Sequence, residues 1–180
     1  MTIDQFIETC LQRNGDYLVR GRAAVVNSDA DRLNKKTLSG EWSPAQIYQH
    51  LILANTPYVA LMTEAADKLP LDPSNLLMKT TWLGGLIARQ AGPGTNAPAP
   101  RPMIPAEEHY DPTIVETWAT QYAELISIIG RAKGRNINLK YVRNPFLPIF
   151  KMSMTDCILI LTNHTERHIV QIEERLAGSC

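Results

Sequence analysis

The sequence predicts an all-α fold: a helix bundle whose helices are joined, in mid-chain, by one long crossover. Three observations predict it. Apolar residues recur at three- and four-residue spacing in several long segments, with no convincing strand-like alternation. Helix starts are marked by the pairs Ser43-Pro44 and Asp111-Pro112 and by the box Ser153-Met154-Thr155-Asp156. Six of the twelve prolines (Pro93, Pro98, Pro100, Pro102, Pro105 and Pro112) crowd into one short stretch, which neither helix nor central strand can cross. A chain of 180 residues suits a single domain, 1–180, with enough residues for a hydrophobic core.

The elements follow in order. Ile3, Phe6, Ile7, Cys10, Leu11, Tyr17, Leu18 and Val25 trace a first helix from Ile3 to about Val26. The polar stretch 27–40 reads as a connection. Ser43 suits an N-cap and Pro44 the first helical turn of a second helix carrying Ile47, His50, Leu51, Ala54 and Tyr58. Pro57 falls inside that pattern and predicts a kink or a break. Past the junction Leu69-Pro70-Leu71-Asp72-Pro73, a third apolar segment is expected over Asn75–Gln90, weakened by Gly84-Gly85. Residues 92–111 form the Pro/Gly-rich crossover. Loops of that length in a compact domain are often functional, the alternative being a mobile connector. Ile114, Val115, Trp118, Tyr122, Leu125 and Ile129 define the next helix, ending around Gly130–Gly134. Arg135–Lys151, with Pro145 and Pro148, should be irregular. In the Ser153–Asp156 box the serine and the acid satisfy each other's free amide groups, and the last helix runs to about Ala177, with Gly178 as its stop.

Composition excludes several classes. The 18 Lys+Arg balance 18 Asp+Glu, so neither a dedicated nucleic-acid binder nor a polybasic membrane-surface protein is expected. The local basic stretch of Arg131, Lys133, Arg135, Lys140 and Arg143 reads as a solvated loop. No apolar run reaches the ~18–20 residues of a membrane span. No basic segment followed by an apolar one opens the sequence, so a secretory signal is not expected. Three widely separated cysteines, Cys10, Cys157 and Cys180, form no disulfide framework and point to a reducing, cytoplasmic setting.

The chemistry lies in the histidines. His164 and His168 are four residues apart on the last helix, so they project about 40° apart on one face, the spacing two imidazoles need to share a metal ion. His50, on the second helix, can face them across an antiparallel pair. Three neutral imidazoles with one open position make a common catalytic zinc arrangement. Cys157, Leu161, His164, His168, Gln171 and Arg175 lie within about 40° of one line, apolar at first, then imidazole, then polar, like the floor of a cleft. Gln171, or Gln46 one turn before His50, would suit a partner that holds an imidazole tautomer. Cys157 either lines this cleft or is a small core residue. The alternative to a metal site is a pair of partly exposed histidines near a helix end.

Other histidine sites are excluded by their letters. In His164-Thr165-Glu166-Arg167-His168 the acid stands one position too late for the H-E-x-x-H of a zinc protease, and Glu166 points about 200° from the histidine face. The residues three before His50, His164 and His168 are Ile47, Leu161 and Thr165, so the Glu-x-x-His of a di-iron bundle is lacking. There is no cysteine pair for structural zinc and no glycine-rich phosphate loop.

Two blocks resemble a known family. Trp42-Ser43-Pro44-Ala45-Gln46-Ile47-Tyr48-Gln49-His50-Leu51 resembles the "W-S … H-L" opening of the DinB-like superfamily, and His164-Thr165-Glu166-Arg167-His168-Ile169-Val170-Gln171-Ile172 resembles its closing "H-x-x-x-H-x-x-Q-I" helix. The separation of the blocks and the Pro/Gly-rich crossover are similar too. The resemblance implies a four-helix bundle of up-down-down-up type. It implies a divalent metal, zinc or nickel, held by His50, His164 and His168, with Gln171 matching the glutamine of the closing motif. His109 matches no motif position and reads as a surface residue.

Characterised relatives include thiol-dependent transferases and an isomerase, in which the metal activates a low-molecular-weight thiol. The resemblance thus implies a metal-dependent transferase or hydrolase acting on a small electrophile. The alternative is a non-catalytic binding or scaffold bundle with a vestigial or structural metal site, using the apolar segment of Leu76, Leu77, Met78, Trp82, Leu83, Leu86 and Ile87 as a partner surface. A small-molecule substrate, no nucleic acid, no membrane and a homodimer through exposed bundle faces complete the expectations. No general base stands out.

Overall fold

A computed structural model of the chain describes residues 1–26, 28–95, 97–146 and 148–178. Asn27, Asn96, Leu147, Ser179 and Cys180 lie outside them, and with Cys180 the expectation made for its thiol. Six α-helices are found among the described residues: α1 (Ile3–Ala23), α2 (Ala30–Asn34), α3 (Pro44–Lys68), α4 (Trp82–Ala91), α5 (Ile114–Arg131) and α6 (Met154–Ala177). A two-stranded hairpin, β1 (Val142–Arg143) and β2 (Lys151–Met152), precedes α6.

The four long helices α1, α3, α5 and α6 make the bundle, and side-chain pairs between them give its directions. Arg13 meets Glu166 and Arg20 meets Glu173, both at 2.6 Å, so α1 and α6 run parallel. Asn14 bonds to Tyr122 and Arg22 pairs with Glu116 at 2.8 Å, so α5 runs against α1. Gln121 reaches Ile52 and Thr56 while Arg131 reaches Asp67, so α3 and α5 run parallel. The order is therefore up-down-down-up. Each helix turns one apolar stripe inward, and Phe6, Ile7, Leu51, Met62, Trp118, Leu125, Ile158 and Ile172 form part of one continuous core.

Two polar groups that enter this core bond across helices. Asn14 donates to Cys10 O at 2.6 Å and to Thr162 Oγ1 at 2.9 Å, and accepts from the Tyr122 hydroxyl, which ties α1, α5 and α6 together. The Tyr48 hydroxyl donates to Gly21 O at 2.6 Å. Gly21 has to be glycine: a Cβ there would stand 2.6 Å from Trp118 Cζ3 and 2.9 Å from Ile169 Cδ1. Cys10 and Cys157 are buried free thiols. No helix among the described residues is long and apolar enough to cross a membrane.

Three local expectations are corrected and one is narrowed. Of the kink or break expected at Pro57, the break is absent: α3 runs through it. The Thr56 hydroxyl and the Gln121 amide both donate to Ile52 O beside it, and burial of the helix against α5 and α6 offsets the ~3 kcal/mol that an internal proline costs. The helix expected over Asn75–Gln90 begins only at Trp82. Before it the chain pairs with the first residues instead: Ile3 N donates to Leu76 O at 2.8 Å, Asp72 Oδ2 accepts from Leu76 N, and Asn75 takes a positive φ of 45°. The connection 27–40 contains the short helix α2, capped by Asp29. The stretch Arg135–Lys151 includes strand β1 and the first residue of β2, with Val142 opposite Met152 and both buried.

One knot of hydrogen bonds joins α4 to α6. Asp156 closes the capping box of α6 with Ser153, and its carboxylate also accepts from Thr81 N and Thr81 Oγ1, both at 2.9 Å. Thr81 in turn caps α4 by accepting from Gly84 N. A single buried carboxylate thereby sets where α4 lies on α6.

Candidate metal centre

His50 comes from the second turn of α3, whose start is set by the box of Ser43 and Gln46. His164 and His168 come from successive turns of α6, which runs opposite to α3, so their rings meet His50 across the helix pair. The three ring centroids lie 5.0, 4.6 and 4.5 Å apart, close to an equilateral triangle. His164 Nε2 stands 3.0 Å from His50 Nε2 and 3.1 Å from His168 Nε2. This is the group of three residues that could hold a metal ion among those described.

The outer nitrogens show why the inner ones converge. His50 Nδ1 lies 2.8 Å from Met103 O, a carbonyl that can only accept, so Nδ1 carries the proton and Nε2 presents a lone pair. His168 Nδ1 lies 2.7 Å from Gln171 Oε1, with the same consequence. Both lone pairs face His164 Nε2, which can donate at most one proton and so can satisfy only one of them. A cation among the three satisfies all. Nitrogens bound at about 2.0–2.1 Å to a tetrahedral ion lie about 3.3 Å from one another, close to the separations seen here. The donor set therefore fits a divalent metal.

Protonation is held off as well. Burial depresses the basicity of His50, against the opposing pull of the Met103 carbonyl. Burial, then repulsion from His50 and Arg167, lowers His164 to about 3. Burial, then the charges of His164, His50 and Arg167, takes His168 well below the ordinary value. All three imidazoles are thus neutral at physiological pH, the state in which they bind metal. The Trp42 ring packs on His50 at 4.9 Å between centroids.

The histidines open onto a cavity of about 710 Å³ between α3, α4, α6 and the crossover. Its wall is apolar, with Ala54, Tyr58, Leu86, Ile87 and Phe146 among the contributors. The crossover overhangs it through Pro98, Ala99, Pro100 and Met103, and is strapped down along its length. Thr95 Oγ1 accepts from Arg167 at 3.2 Å, Glu107 O accepts from Gln46 at 3.0 Å, and Tyr110 exchanges two bonds with Asn34 at 2.8 and 2.9 Å. The crossover thus supplies part of the site.

Of the residues singled out from sequence, His50, His164 and His168 are brought together and Gln171 is placed against His168. Gln46 is placed elsewhere: its amide oxygen closes the Ser43 capping box and its nitrogen holds Glu107 O. Cys157 is fully buried in the core, off the cavity wall, and burial pushes its thiol up. Glu166 is turned away and pairs with Arg13. His109 is exposed, outside the cluster. The apolar third segment divides: Leu76, Leu77 and Trp82 are exposed, whereas Leu86 and Ile87 line the cavity. Met103 O and Arg167 were missed, and Trp42 was read as a motif letter with no role beside His50. A backbone acceptor leaves no mark in a sequence. Arg167 was findable, standing three residues after His164 and about 60° from it around the helix.

Comparison with known proteins agrees with this architecture. The family model of the DinB superfamily matches residues 20–172, which contain all three histidines. No curated protein and no solved structure gives a match.

Proposed function

Because the chain belongs to the DinB superfamily, we propose that it is a metal-dependent enzyme whose divalent ion, zinc or nickel, is held by His50, His164 and His168. The observation that carries this reading is the pair of locked tautomers. Met103 O and Gln171 Oε1 fix the protons of two imidazoles on their outer nitrogens, and both inner lone pairs turn toward a third buried ring. A structural pair of histidines would have no use for such convergence.

A bound divalent ion supplies a Lewis acid that lowers the pKa of a thiol or water at its open position. The chain's own residues do the rest. The apolar wall holds a small electrophilic substrate against the histidine end. The described lining residues include no carboxylate, so none of them offers a general base to a water molecule. A thiol needs less help, with an unperturbed pKa of about 8.5 against 15.7 for water. The cavity therefore favours a thiol-dependent transferase over a hydrolase, with a low-molecular-weight thiol as co-substrate.

The test is thiol conjugation across a panel of electrophiles, with the protein loaded with zinc or nickel and with His50→Ala alongside. Metal-dependent conjugation that the substitution abolishes is expected. A native protein that takes up metal no better than a His164→Ala/His168→Ala double variant would defeat the metal centre itself.

A further inference from the structure

We propose that the cavity beside the three histidines takes an apolar monocarboxylate, a molecule with a hydrocarbon body and one anionic end, and that Arg167 binds the carboxylate. This deepens the metal-enzyme reading by naming its substrate class, and rests on that reading only for what happens to the molecule once bound.

Charge is the first argument. Among the described residues lining this cavity Arg167 is the one permanently charged side chain and none is an acid; Glu41 lies in a smaller cleft that Arg167 also borders, where it pairs with Arg175. On α1 the half-buried arginines are matched, Arg13 with Glu166 and Arg20 with Glu173, while Arg32 and Arg135, away from the cavity, donate to backbone carbonyls. Arg167 has no ion pair among the described residues. Its Nη1 donates to the neutral Thr95 hydroxyl at 3.2 Å, and its Nε is buried without a hydrogen-bond partner. A guanidinium partly removed from water with a neutral partner and an idle donor is costly, and an anion arriving in the cavity removes that cost.

The wall is the second argument. A cavity of about 710 Å³ lies within the usual range for a small-molecule site. Its surface is built from Ala54, Leu86, Ile87, Pro98, Ile104 and Phe146, which ask for a hydrocarbon body and offer a sugar or peptide few hydrogen bonds. Carboxylate is favoured over phosphate because the site has one cation, no lysine and no glycine-rich nest. One planar guanidinium matches one planar carboxylate through paired N–H donors.

The test is calorimetric titration of decanoate, 1-decanol and decyl phosphate into the full chain, with and without bound zinc. In the zinc-free chain decanoate is expected to bind at least tenfold tighter than decanol. Arg167→Gln should remove that preference while leaving decanol affinity unchanged, which also shows that the variant is folded. Arg167→Lys should keep a reduced preference, because it retains the charge without the fork. Equal binding of decanoate and decanol, no binding of either, or a preference that survives in Arg167→Gln overturns the proposal. Tighter binding of decyl phosphate overturns the class. A chain that takes up zinc but shows no carboxylate preference defeats this inference alone. A chain that prefers decanoate but takes up no metal defeats the metal centre alone.

Discussion

Replacing Gln171 by Leu isolates the role of the tautomer lock. The change leaves the three imidazoles untouched and removes only the acceptor 2.7 Å from His168 Nδ1. His168 is 4% exposed, so no bulk water replaces the lost acceptor. The ring is then free to carry its proton on Nε2, the nitrogen that must be bare for metal binding. Losing one hydrogen bond to a buried neutral group is worth about 1–2 kcal/mol. At about 1.4 kcal/mol per tenfold change, metal affinity should fall about tenfold or somewhat more, in the range found for partners of metal-bound histidines. Competition with a chelator of known affinity measures it, and thermal unfolding of the metal-free protein checks that the bundle is intact. Gln171→Glu keeps an acceptor and should retain most of the affinity. A folded Gln171→Leu protein that holds metal as tightly as the unsubstituted chain would refute the tautomer argument.

Other expectations follow from single contacts. Gly21→Ala should lower stability by about 1–3 kcal/mol, read as a drop in Tm, because the new methyl meets the buried Trp118 ring and Ile169 in a close-packed core. Asp156→Ala should destabilise by roughly 2–4 kcal/mol in chemical denaturation, since it removes one capping box and two further acceptor contacts to Thr81. The metal-free protein should lose stability as pH falls below about 6.5, because the unfolded chain then takes up protons that buried His50, His164 and His168 refuse. For His164 that loss continues down to about pH 3. Denaturation midpoints at pH 7.5 and 5 measure it.

The long helices were legible because each pays its way in a periodic apolar stripe, and the starts of α3 and α6 because caps are local signals. The start read at Asp111-Pro112 was wrong, since those residues form a turn and α5 begins at Ile114 without a side-chain cap. The residues before Trp82 misled because their apolar letters are spread over an extended strap that bonds to residues 1–3, a long-range pairing that periodicity does not register. The hairpin strands, two residues each, are too short to alternate. The histidine triad was legible from spacing on α6 and from the family motif around His50. Gln46 was misread although its letters carried the better answer, since Ser43-x-x-Gln46 is itself a capping box. A functional crossover was legible from its length and prolines, but its polar link to His50 was not, because that link is the Met103 backbone carbonyl.

The central claim is that three imidazole nitrogens share one ion, and anomalous scattering at the zinc and nickel edges of metal-loaded crystals tests it most directly. One peak per chain is expected, within bonding distance of Nε2 of His50, His164 and His168. Absence of a peak there, or a peak ligated elsewhere on the chain, would contradict it.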